Sequence, residues 1–219
     1  MSGVPQLFKQ EALKATYPLG TDNIKAVLVR LGSVTSAMVR TVAGCTAATP
    51  GVVTLQASSV IANGDIVSLS GIGGITGALG RFKAAGVSGS GGATPTFQLT
   101  DPITGANVTT TGTYTSGGFM INLTTLQFLS SIDSGARVAT SANLASKTFT
   151  LGAFSFAAFT WTAVASGAAA QAVIFYDDSP GTDATRPIVA VDDGATNLPV
   201  TPNGGDISYT PNASGLFAL

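Results

Sequence analysis

Residues 186–219 carry two short apolar runs, 187–191 and 207–209, with turn residues packed between and after them. Asp193-Gly194 can close a tight turn, because Gly adopts positive φ at no steric cost. Asn203-Gly204-Gly205-Asp206 does the same at the next reversal, after Pro199 and Pro202 have set an extended approach. Runs this short, bounded this way, read as strands. A lone hairpin is marginal in water, so the segment must pack on strands from earlier in the chain. The apolar runs 171–176 and 24–30 are the partners it selects.

The rest of the chain has the same texture. Residues 5–15 form the one helix candidate: Pro5 suits a first turn, and Leu7, Phe8, Ala12, Leu13 and Ala15 cluster on one side. Residues 24–30, IKAVLVR, are a strand buried on both faces or central in its sheet. From residue 37 to 118 short β-prone runs alternate with Gly, Pro and Asn: 52–56, 66–72, a glycine-rich 73–82, then KAAGV, TFQLT and NVTTTGTYTSGG. That spacing predicts a small all-β barrel or sandwich. Residues 120–132 read as a loop with a short helical turn over 125–131. Phe154, Phe156, Phe159 and Trp161 then form the heaviest apolar load of the chain, and each aromatic can bury on the order of 150–250 Å². These side chains, with Phe175, are the expected core.

Only 10% of the residues are charged, against about 25% in an ordinary soluble domain. Such a surface suits a protein packed against neighbours rather than a free monomer. The formal net charge of −1 exerts no global pull on nucleic acid, and Arg81, Phe82 and Lys83 are too small a basic cluster to supply one locally. No run of roughly 18 apolar residues supports a membrane span, and the first residues lack the pattern of a secretory signal.

The sequence has no His, which removes imidazole-based triads and most zinc sites. Cys45 stands alone without a basic neighbour and reads as a small buried apolar residue. The pairs Asp177/Asp178 and Asp192/Asp193 are where a two-carboxylate glycosidase or a Ca²⁺ site would be sought. Adjacent residues at a strand end point to opposite faces, however, and Asp favours turns. Gly71, Gly73, Gly74, Gly77 and Gly80 lack the Lys-Ser/Thr ending of a phosphate-binding loop. The expectation is a chain that is not an enzyme and holds no cofactor or metal.

Two resemblances go further. ATPGVVTLQA, IANGDIVSLSGIGGITGALGRF, TFQLTD and TYTSGG resemble a small β-domain of tailed-bacteriophage structural proteins, similar to the FCCH domain of ubiquitin-activating enzymes. Ala78-Leu79 stands before Gly80-Arg81 where that pattern has an Asn. The flanking strings TDNIKAVLVR, FLSSIDSGAR and LPVTPNGGDI…GLFAL resemble a family of short tailed-phage virion proteins, with Tyr209 replacing a Trp one position later. Together they imply a discontinuous outer domain, 1–36 plus 119–219, interrupted by an inserted barrel domain, 37–118. The fold class expected is all-β: an Ig-like or jelly-roll-like β-sandwich, the inserted FCCH-like barrel and the N-terminal helix. The function implied is a virion structural protein, either a capsid decoration (cement) protein or a tail- or fibre-associated protein whose barrel is a host-adhesion module. Its partners would be other virion proteins, the major capsid protein foremost, with copies of itself, and neither nucleic acid nor membrane. Leu7, Phe8 and Leu13 near one end, and Leu216, Phe217 and Leu219 at the other, are the expected contact residues.

Overall fold

The computed structural model describes residues 4–5, 18–36, 38–150 and 153–218. Beyond Pro5, the helix expected over 5–15 lies outside the described residues, as do Leu7, Phe8, Leu13 and Leu219. In chain order the first strands are β1 (Ile24–Val29), β2 (Val39–Cys45), β3 (Val52–Leu55), β4 (Ile66–Ser70), β5 (Gly73–Thr76), β6 (Gly80–Ser88), β7 (Thr96–Thr100) and β8 (Thr111–Ser116). There follow β9 (Phe119–Asn122), β10 (Arg137–Thr140), β11 (Thr148–Thr150), β12 (Ala153–Ser155), β13 (Phe159–Trp161), β14 (Ala172–Asp177), β15 (Ile188–Asp192), β16 (Ile207–Tyr209) and β17 (Phe217–Ala218). Among the described residues three single-turn 3₁₀ segments join them, Leu31–Ser33, Leu129–Ser131 and Ser134–Ala136. The fold class is all-β with a small closed barrel, as the turn spacing predicts.

Two compact units divide the chain. One is the continuous stretch 35–126, and the other joins the segments on either side of it. In the discontinuous unit β1, β10, β14 and β15 form one antiparallel sheet in the order β10-β1-β14-β15. Every residue of β14 is buried, and so are all but Lys25 in β1. The β-branched run 24–29 needs cover on both faces, and the interior position in the sheet supplies it. Two shorter sheets, β11-β12-β17 and β13-β16, complete the unit. A single core joins Ile24, Ala26, Leu28 and Phe175 of the large sheet to Phe154, Trp161, Tyr209 and Phe217 of the small ones and to Phe156 just after β12. Aromatic rings make up much of it: Phe156 lies 5.4 Å from Phe175, and Phe159 meets Trp161 edge-on at 4.8 Å.

In the continuous unit the strands close as β2-β3-β7-β6-β4-β9. Alternation along the strands turns Val53, Leu55, Val67, Leu69, Phe82, Ala84, Phe97 and Leu99 into one core with Met120. The sequence reading ends the inserted domain at 118, yet Phe119–Asn122 is a barrel strand, bonded to β2 on one side and β4 on the other. Without β9 the barrel would have two open edges. Residues 120–122 are therefore strand and not loop, and of the turn expected over 125–131 the 3₁₀ part is Leu129–Ser131.

The glycine-rich stretch after β4 also has a physical reason. β8 is not a barrel strand; it pairs with β5 as a separate ribbon. A Cβ on Gly74 would lie 2.0 Å from the Thr113 carbonyl oxygen, and one on Gly112 would lie 2.2 Å from that of Gly74. Both glycines also sit at positive φ, so only Gly lets the two backbones come this close.

Candidate functional site

The charged residues of the discontinuous unit gather where β1 begins and β14 ends. Strand pairing sets Ile24 opposite Asp177, and the Asp178 amide donates to the Asn23 carbonyl at 2.8 Å. Alternation sends the two aspartates to opposite sides, as expected of adjacent strand residues. Asp178 ion-pairs with Lys25 at 2.6 Å and with Arg186 Nε at 2.7 Å. Arg186 also holds Asp183 at 2.9 Å, and Asp183 meets Arg137 at 2.6 Å. The Arg137 hydrogen bond, with help from Arg186, holds the Asp183 carboxyl below the usual range. These residues are half-buried, and pairs still in contact with solvent contribute on the order of 1 kcal/mol each.

Arg137 has a second task. Its guanidinium donates to the Leu129 carbonyl at 2.9 Å and to that of Ile132 at 2.7 and 3.0 Å. It thus ties the 3₁₀ turn Leu129–Ser131 to the Asp183 loop, which gives the Gly135-Ala136-Arg137 string a structural reason.

Asp177 is buried, and its carboxylate accepts the Ser179 amide at 2.8 Å. Its carboxylate neighbour is Asp22, in the turn before β1, and not Asp178. Burial first, then the Asp177 charge and the hydrogen bond between the two, raise the Asp22 carboxyl above its ordinary value, while Lys147 opposes them. Two carboxylates in contact share a proton readily. They do not make a glycosidase pair, which needs about 5–9.5 Å between its carboxyls. The other suspected pair is structural too. Asp192 accepts the Tyr209 hydroxyl at 2.7 Å and the Gly194 amide at 3.1 Å. Burial, then the Asp192 charge and hydrogen bond, push the Tyr209 phenol far above its normal range. Among the described residues no group of three His, Cys, Asp or Glu is placed to hold a metal ion. Cys45 is buried in the barrel core, and burial pushes its thiol up, away from the reactive thiolate.

The string from Leu198 to Ile207 is explained by the backbone it pairs with. Val200 and Ala170 exchange both amide–carbonyl bonds, at 2.8 and 2.9 Å. Gly204 donates to the Val164 carbonyl and Val164 donates to Gly205, each at 2.9 Å. Asp206 accepts the Ala163 amide at 2.9 Å, and Asn203 accepts Gly205 at 3.0 Å. Beside this ladder lies a cleft of about 230 Å³, walled by Leu198, Val200 and Ile207 together with Leu28, Trp161 and Tyr209.

The expected contact residues fare differently. Leu216 and Phe217 are buried in their own unit's core, with the Phe217 ring 5.6 Å from Phe154. Among the described residues β17 has one hydrogen-bonded neighbour, β12, and its side chain at 217 is turned into the core. The large apolar residues most exposed among those described are Val60, Leu79 and Ile103 in the continuous unit and Phe149 in the other. Ile103 is 92% exposed on a loop that Asp101 holds in place, accepting the amides of Ile103 at 2.9 Å and Thr104 at 2.7 Å. Those bonds keep the Asp101 carboxyl below its normal value. An exposed Ile leaves no mark in a sequence of this composition, and the Asp-Pro-Ile-Thr-Gly turn signal was the only hint. Among the described residues no helix is long and apolar enough to cross a membrane. No protein-family model matches the chain, and no curated protein matches it.

Proposed function

We propose that the chain is a non-enzymatic structural protein of a tailed-phage particle, and within the particle a decoration protein bound in many copies to the head lattice. The observation that carries this reading is the run from Leu198 to Ile207, whose resemblance to virion proteins coincides with a ladder that builds the discontinuous unit. The division into a continuous barrel unit and a unit made of two segments supports it, because such modules are inserted where the host fold tolerates both ends of an insertion.

Attachment follows from composition. With 10% of residues charged and the described pairs mostly satisfied within the chain, binding rests on apolar burial at roughly 25 cal/mol per Å². Ile103, held on an ordered loop, is an anchor of the right kind, since little conformational entropy is lost when it docks. The test is the stoichiometry of this chain in purified particles against the major capsid protein. A copy number comparable to that of the capsid subunit is the expected result. A handful of copies per particle would move the protein to the tail, and absence from the particle would end the reading.

A further inference from the structure

We draw no further inference here: the strongest candidate, the uncharged and largely exposed strand β8 of the β5-β8 ribbon, has β5 as its one strand partner among the described residues, and nothing in the structure shows what covers its other edge.

Discussion

Asn122 ties the end of β9 to Asp65 just before β4, and removing it should destabilise the barrel. It lies at the end of β9 with 2% of its surface exposed, and its Nδ2 donates to Asp65 Oδ2 at 2.8 Å. Its Oδ1 accepts the amides of Thr124 at 3.0 Å and Thr125 at 3.3 Å. Asp65 is itself 8% exposed and keeps one further partner, the Ala62 amide at 2.9 Å. In Asn122→Ala the hydrogen bond to a charged group is lost, costing about 1.5–3 kcal/mol, and the half-buried Thr124 amide adds about 1 kcal/mol. The exposed Thr125 amide rehydrates at little cost. The sum is about 2.5–4 kcal/mol, which accelerates exchange of the barrel amides by roughly two to three powers of ten. Hydrogen exchange read at β4 and β9 measures it directly. Asn122→Asp separates the two parts of the effect. It keeps the acceptor for both amides but sets a second carboxylate against Asp65, and like charges in a buried site raise the pKa of the pair. Its deficit is then full at neutral pH and shrinks as pH falls toward the unfolded carboxylate value of about 4. A loss below about 1 kcal/mol for Asn122→Ala, against the 1–3 expected for even one unsatisfied buried group, would refute the reasoning. So would an Asn122→Asp deficit independent of pH.

Three further outcomes follow from the discontinuous unit. Trp161→Ala removes a core ring and should cost about 3–5 kcal/mol in denaturant unfolding followed by circular dichroism, and the native protein should show the blue-shifted emission of buried indole. Tyr209→Phe deletes the bond to Asp192 and should cost about 1–3 kcal/mol; because its folded pKa is raised, the folded state holds that proton longer, stability falls at high pH, and its phenolate absorbance emerges only with alkaline unfolding. Asp22 behaves oppositely to a salt-bridged acid: its folded pKa lies above the unfolded one, so the native state binds more protons between them and stability rises as pH falls through that window. Asp22→Asn should abolish that rise in a pH series of thermal melts, and a variant that retains it would place the titrating group elsewhere.

The strands that carry the discontinuous unit's large sheet were legible because their side chains leave them few alternatives. Runs such as IKAVLV and AVIFYD are β-branched and apolar without a polar face, so they must be covered on both sides, and an interior strand is the simplest place for that. The aromatic load at 154–161 was legible as core for the same reason of area. The turns at Asp193-Gly194 and Gly204-Gly205 were written in residues whose backbone preferences are local.

What only the tertiary structure decided depends on partners far away in the chain. Phe119–Asn122 belongs to the barrel because β2 and β4, each dozens of residues distant, leave an opening of its width; the four residues themselves carry no sign of it. Leu216 and Phe217 look like a free apolar end, yet a ring of Phe154 stands ready to take Phe217 inward. Asp177 was suspected with its neighbour Asp178, but the pleat separates adjacent side chains, and pairing of β1 with β14 brings Asp22 to it instead. Local chemistry settles where a chain extends and where it turns. Which strand lies beside which, and therefore which charges and rings meet, is settled by long-range closure, whose cost and gain no short stretch of sequence contains.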